Sequence, residues 1–337
     1  MMNPASDPPR PETIDGLRST SDLALAMLAG VQLDLFNPLR DEPLTGEQIA
    51  ESIGVDPDRL SLLLYALVSA GLLTVDDGRF ANTAESGHFL ASGSPDYMTD
   101  LRTEWAGEFD RKLKTAESLR TGKPQAKLDF AESPPEQIET FLRMIDGRGR
   151  PLARLLAERY DFSSTKTLLD AGGGVGGVAI TITEIWPQIH ATVAELPMVT
   201  PIAEKVVAEE GAGDRVSVVT ADVTAEPIPG TYDVAIAKAL LQTLSPDDAQ
   251  AAVKNIGRSL RPGGDIYIIG SFLDVSRTAP IQSVIFNLMF INIYDVGESY
   301  TEQMHRGWLE DAGFVDIKRE PPLQGARSGL MTAQKLA

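Results

Sequence analysis

The run Ala171-Gly172-Gly173-Gly174-Val175-Gly176-Gly177 constrains this chain most. It follows an apolar segment, Lys166 to Asp170, and leads into an apolar stretch ending at Trp186. Strand, glycine loop and helix in that order open a parallel, doubly wound sheet, because a loop without side chains lets a ligand lie against main chain. Further strands are predicted at 191–194, 215–220, 232–237 and 265–270, the last after the turn Arg261-Pro262-Gly263-Gly264. Repeated βα units place a ligand at the carboxyl ends of the strands. Glycine-rich strings are common and a dinucleotide also fits this one, so the neighbouring acids must decide. Glu195 ends the second strand, where a carboxylate can take both ribose hydroxyls. Asp222 follows the third, suited to accept from an adenine amino group. Asp170 stands just before the glycines. A carboxylate there is unfavourable beside a pyrophosphate and favourable beside a cationic amino acid or sulfonium.

The first half has another rhythm. Thr45 with Gln48 forms a capping box, and Gly54 can end the helix that follows. Asp56-Pro57 starts a second helix, with Leu60, Leu63, Leu64 and Leu67 on one face and Val68 and Leu72 continuing it. Leu73–Val75 and Arg79–Ala81 then flank Asp76-Asp77-Gly78, a hairpin signal. Helices followed by a hairpin make a winged helix-turn-helix, which binds DNA or builds an interface. Charge separates the two uses. Asp and Glu number 48 against 30 Lys and Arg, a formal charge of -18, while the second helix offers only Arg59 and the wing only Arg79. Such a surface repels phosphate backbones and anionic lipid, so nucleic acid and membrane are poor partners. The apolar helix expected from Ser21 to Phe36 points instead to a homodimer.

Cysteine is absent and histidine is limited to His88, His190 and His305. That removes disulfides, thiolate metal sites and cysteine nucleophiles, argues against any metal, and suits a reducing cytoplasm. Residues 1–15, rich in proline and acid, read as disordered. The longest uncharged stretch, Leu60 to Val75, is broken by Ser61, Ser69 and Gly71 and is too short to span a bilayer. The expected organisation is a winged module at 16–95, linking and substrate-pocket helices at 96–160, and an α/β domain at 161–337. A long helix at 136–159 carries Arg143, Met144, Arg148, Arg150 and Arg154. Gly147 and Gly149 inside it cost about 1 kcal/mol each against alanine, so a ligand or a neighbouring element should approach there.

Residues 17–335 resemble the plant-type small-molecule O-methyltransferase family. The matching strings are Leu168-Leu169-Asp170-Ala171-Gly172-Gly173-Gly174-Val175-Gly176, Glu195-Leu196-Pro197, Ala221-Asp222, Leu260-Arg261-Pro262-Gly263-Gly264 and Leu309 to Phe314. The resemblance implies a Rossmann-like class I methyltransferase sheet, an N-terminal winged-helix dimerisation domain and S-adenosylmethionine as cofactor, with S-adenosylhomocysteine as product. It assigns Asp170, Gly172, Gly174, Glu195, Leu196, Asp222, Val223 and Lys238 to the cofactor. Gly172 and Gly174 would line the methionine portion, Glu195 the ribose and Asp222 the adenine.

One departure bears on chemistry. O-methylating members carry a histidine base after the fourth strand, and Gln242 stands there in this sequence. Glutamine takes no proton and can only orient a substrate. A thioether has no proton to lose, a tertiary amine shares that property, and an acidic phenol ionises unaided. The reading therefore leans to S-methylation of a carboxylate-bearing thioether such as 4-methylthio-2-hydroxybutyrate, on the route to dimethylsulfoniopropionate, held by Arg143, Met144, Arg148, Asn287 and Tyr294. The alternatives are O-methylation of a phenolic or polyketide metabolite, a DNA-binding regulator, and a homologue that keeps the cofactor without methyl transfer.

Overall fold

The computed structural model describes residues 9–94, 97–102, 104–127, 133–323 and 328–337. The chain divides into two units, Met1–Asp110 and Arg111–Ala337, a boundary inside the stretch expected to link the domains.

The first unit begins with α1 (Glu12–Gln32), β1 (Leu44–Thr45), α2 (Gly46–Ile53) and α3 (Pro57–Ser69). β2 (Leu73–Asp76), β3 (Arg79–Asn82) and α4 (Ala84–Phe89) follow. The capping box forms as expected. Thr45 accepts from the Gln48 N–H, and the Gln48 side chain accepts from the Thr45 N–H at 2.9 Å. Asp77 and Gly78 both adopt positive φ, 44° and 72°, which turns β2 into β3 with the twist a short hairpin needs. β1 pairs with β3, giving the order β1-β3-β2. Leu35, Phe36, Ile49, Leu64, Leu67 and Leu73 fill the core.

Two expectations change here. Residues 12–15, expected to be disordered, form the first turn of α1, while residues 1–8 lie outside those described. The helix expected to reach Phe36 stops at Gln32. Asp34 takes φ 54°, and Leu35 and Phe36 turn back into the core. α1 leaves Ile14, Leu17 and Leu25 exposed, and Leu33 just past its end is exposed as well.

α5 (Glu104–Lys112) crosses the boundary between the units, and α6 (Thr115–Thr121) and α7 (Pro135–Arg159) lead into the sheet. The βα alternation then runs β4 (Thr167–Ala171), α8 (Gly177–Ile185), β5 (His190–Glu195), α9 (Thr200–Glu209), β6 (Val216–Thr220), β7 (Tyr232–Lys238), α10 (Pro246–Ser259) and β8 (Leu260–Gly270). It closes with β9 (Phe272–Leu273), α11 (Ile281–Ile293), β10 (Tyr300–Thr301), α12 (Glu302–Asp311), β11 (Phe314–Glu320) and β12 (Gly329–Lys335). The main sheet has the order β11-β12-β8-β7-β4-β5-β6. β4 to β8 pair in parallel, and β12 and β11 add antiparallel at one edge. β4 is flanked by β5 on one side and β7 on the other, so the glycine loop leaves the sheet at its topological switch point.

Alternate residues of one strand serve opposite layers. Leu168 packs with α7 and α8 side chains such as Leu156 and Ile180, and Leu169 with α10 and α12 side chains such as Ile256 and Trp308. β8 starts five residues earlier than expected. Its Arg261-Pro262-Gly263-Gly264 string lies inside the strand span, where the register against β7 shifts and Gly263 takes φ 73°. Among the described residues no helix is long and apolar enough to cross a membrane.

Candidate active site

The loop between β4 and α8 needs glycine for two separate reasons. Gly172, Gly174 and Gly176 have φ of 63°, 60° and 89°, which L side chains rarely adopt. Gly173 and Gly177 are excluded by neighbours instead. A Cβ on Gly173 would stand 2.6 Å from the Asp170 carboxylate, and one on Gly177 would fall inside the carboxylate of Asp146, on α7. Over Gly172 lies Leu240, from the segment after β7. Asp146 and Leu240 close the loop from two sides, and sequence reasoning missed both. Their signal was spatial: one lies 31 residues before Gly177, the other 68 after Gly172.

Two further carboxylates face this loop. Asp170 is fully buried. Its Oδ2 accepts from the Ala179 N–H at 3.2 Å, and its Oδ1 has no hydrogen-bond partner. Burial pushes this acid up to about 7, although the Lys238 ammonium and the Ala179 N–H pull the other way. Glu195 ends β5 and braces two segments: Oε1 accepts from the Gly174 N–H at 2.8 Å and Oε2 from the Leu196 N–H at 2.9 Å. Burial raises its pKa against those two bonds. Each oxygen keeps a further lone pair for a ligand. The Leu196 side chain is exposed beside it. Past β6, Asp222 turns Oδ1 to the N–H and hydroxyl of Thr224, at 2.9 and 2.7 Å. Its other oxygen has no partner among the described residues. Val223 is buried, its carbonyl held by Asn255. At the end of β7 the Lys238 ammonium would be 3.0 Å from a Cβ on Gly149, so α7 carries glycine where the lysine arrives. Gly147 faces open space, and nothing in the structure explains it.

The residues expected to hold an acceptor separate into two groups. Arg143 is engaged by Glu139 and by Glu209 of α9, with its Nη2 2.5 Å from Glu209. Arg150 pairs with Asp146 and Glu210. These two arginines clamp α7 to acids of the sheet domain. Met144 is half-buried on the same helix, and the side chain of Arg148 lies outside those described. Tyr294 follows α11, 5.4 Å from Phe290 between ring centroids, and burial raises its hydroxyl pKa.

Gln242 and Asn287 belong together. Gln242 is buried in the turn Leu241–Thr243 after β7. Its Oε1 accepts from the Ser271 N–H at 2.8 Å and would stand 3.0 Å from a Cβ on Gly270, while a Cβ on Gly297, at φ 98°, would meet the Gln242 main-chain carbonyl. The Ser299 hydroxyl donates to the Ser271 hydroxyl at 2.7 Å, and the Ser299 N–H donates to Asn287 Oδ1 at 2.7 Å. No titratable base stands at 242. His305 is sealed elsewhere, among Phe272, Tyr300 and Trp308, with Nδ1 3.0 Å from the Thr301 carbonyl. Burial holds it down to about 4, so at neutral pH it is an uncharged packing residue. Among the described residues no group of acids and histidines is arranged to hold a metal.

An open α/β sheet whose switch-point loop is free of side chains, with carboxylates at the ends of β4 and β5, defines a nucleoside-type cofactor site. Residues 129–315 match the O-methyltransferase domain family, and residues 19–92 match the O-methyltransferase dimerisation domain. The chain belongs to this family and is an S-adenosylmethionine-dependent methyltransferase. It is similar to 3-hydroxy-5-methyl-1-naphthoate 3-O-methyltransferase of Streptomyces sahachiroi, 26% identical over 87% of this chain and 86% of that protein. It is also similar to the tetracenomycin polyketide synthesis 8-O-methyl transferase of Streptomyces glaucescens, 27% identical over 87% of this chain and 88% of that one. Its fold matches human N-acetylserotonin methyltransferase in complex with S-adenosylmethionine, with a TM-score of 0.74 and 21% identity across 100% of both chains.

Proposed function

We propose that this enzyme methylates an acidic hydroxyl on a small aromatic or polyketide acceptor without a side-chain base. The observation that carries the reading is Gln242: the turn that follows β7 offers a carboxamide pinned by the Ser271 N–H, and the buried His305 is spent on packing. The acceptor must therefore arrive ionised, losing its proton to water. The oxygen lone pair then forms the new C–O bond while the methyl–sulfur bond breaks and its electron pair returns to sulfur. The protein's contribution is to align the oxygen with the methyl group. The first two relatives named above act on hydroxylated aromatic and polyketide compounds, which supports this class.

The residues fit the cofactor's charge. Asp170 Oδ1 is a buried acceptor without a donor, suited to the cationic amino-acid end. Glu195 retains lone pairs for the ribose hydroxyls, and Asp222 has an open oxygen for the adenine amino group. Gly172 and Gly174 keep side chains out of the methionine portion, and Leu196, Val223 and Lys238 complete the set of residues assigned to the cofactor. S-methylation of a carboxylate thioether draws on the same missing base, but its anchor is weakened, since Arg143 already serves two glutamates. The dimerisation-domain match and the exposed Ile14, Leu17 and Leu25 of α1 support a homodimer through the first unit.

The test is S-adenosylhomocysteine release with panels of nitrophenols and hydroxynaphthoates against carboxylated thioethers. Turnover on the phenols is expected. Turnover confined to the thioethers overturns the acceptor class.

A further inference from the structure

Gln242 and Asn287 share a feature that fixes the polarity of the acceptor site. A carboxamide can usually be rotated by half a turn, exchanging donor for acceptor, but a main-chain N–H can only donate. Both carboxamide oxygens here accept from a main-chain N–H, Ser271 for Gln242 and Ser299 for Asn287. Reversal would set NH₂ against N–H and leave a donor unpaired. Both NH₂ groups are therefore the ends left over. Neither has a hydrogen-bond partner among the described residues, and neither is a buried orphan atom. The Ser271–Ser299 hydroxyl bond joins the two pins into one unit. The unit stands at the carboxyl end of the sheet, two residues past Leu240, which covers Gly172 of the glycine loop.

We propose that Gln242 and Asn287 form a two-donor cradle that selects acceptors carrying an anionic or carbonyl oxygen and lowers the pKa of the hydroxyl to be methylated. This rests on the methyltransferase reading above and deepens its acceptor class. Where a base would remove the proton, two pinned N–H donors favour the oxygen that has already lost it, because hydrogen bonding to a charged form stabilises that form. A thioether sulfur is a poor acceptor and gains little from such a cradle.

The experiment uses the full-length enzyme saturated with S-adenosylhomocysteine, and 4-nitrophenol and 2-nitrophenol as probes. Their phenolate absorption reports ionisation directly, without turnover. In the unaltered enzyme, bound nitrophenol should ionise at lower pH than free nitrophenol. Gln242→Glu keeps an acceptor for the Ser271 N–H and replaces the donor by a carboxylate, so the shift should reverse and kcat/KM for phenols should fall at least tenfold. Asn287→Asp should act in the same direction. Unchanged calorimetric binding of S-adenosylhomocysteine shows that each variant is folded. The cradle is overturned if bound nitrophenol ionises as it does in water, if neither probe binds, or if both acidic variants match the unaltered enzyme while phenols are still methylated. Absence of phenol turnover with retained cofactor binding is a separate result, and it refutes the acceptor class of the preceding section.

Discussion

Replacing Asp170 by asparagine should remove a pH dependence of cofactor binding that the buried carboxylate imposes. The acid is raised from 3.8 to about 7 by burial, and its Oδ1 has no donor. A cationic amino-acid end favours the ionised carboxylate, so binding must expel the proton that burial retains. With a free-state value of about 7, roughly a tenth of the protein is ionised at pH 6 and nine-tenths at pH 8. Affinity for S-adenosylhomocysteine should therefore rise about tenfold across that window, with close to one proton released at pH 6. Calorimetry in two buffers of different ionisation enthalpy measures both quantities. Asp170→Asn should bind about 10- to 100-fold more weakly at pH 8, the worth of a charge-assisted bond, and lose the slope. The sign for stability is opposite. A folded pKa raised above the unfolded one means the folded state keeps a proton that the unfolded state releases, so stability is lost as pH rises from about 4 to 7. A shift of that size corresponds to about 4 kcal/mol, and the cofactor-free variant should melt above the parent at pH 8. Equal affinity at pH 6 and 8 with no proton release refutes the reasoning.

Glu195→Ala should weaken cofactor binding roughly tenfold or more, since it removes the brace on the Gly174 and Leu196 N–H groups as well as any ribose contact; calorimetry checks this. Gly177→Ala should lower the melting temperature by several degrees, because the new methyl meets the Asp146 carboxylate, whereas Gly147→Ala at an open helix position should raise it slightly. His305→Ala should cost about 2–4 kcal/mol of stability by opening a cavity in the Phe272–Tyr300–Trp308 cluster. At temperatures where it stays folded its kcat should remain within a few-fold, far from the ~10²–10⁴ loss of a general base. Because its folded pKa is depressed to about 4, His305 contributes stability above pH 6.5 that disappears as pH falls through 4, which an acid melt of the variant against the parent measures.

The sheet was legible because its signals are local. Five parallel strands, the glycine loop and the acids at their ends follow from apolar runs punctuated by turn residues, and the capping box at Thr45 is a spacing of three. The antiparallel pair β11 and β12 escaped notice. Its alternation is irregular, with a register shift between Val315 and Lys318, and its partner is chosen by the sheet edge. The arginines of α7 show the limit on the site. Their helix and spacing are readable, but Glu209 and Glu210, which engage Arg143 and Arg150, come some 60 residues later. Gly149 illustrates the converse. Its cost inside a helix announced a close approach, and the approaching group is the ammonium of Lys238. Gln242 was legible as an absent base, while the direction of its amide depends on the Ser271 N–H and exists only in three dimensions.

The claim that methyl transfer proceeds without a protein base is tested most directly by the pH dependence of kcat/KM at saturating S-adenosylmethionine for phenols of graded acidity. The account predicts that the pH at which kcat/KM reaches half its maximum follows each free phenol's own pKa. A half-maximal pH that stays fixed while the phenol's pKa changes would reveal a protein base and contradict it.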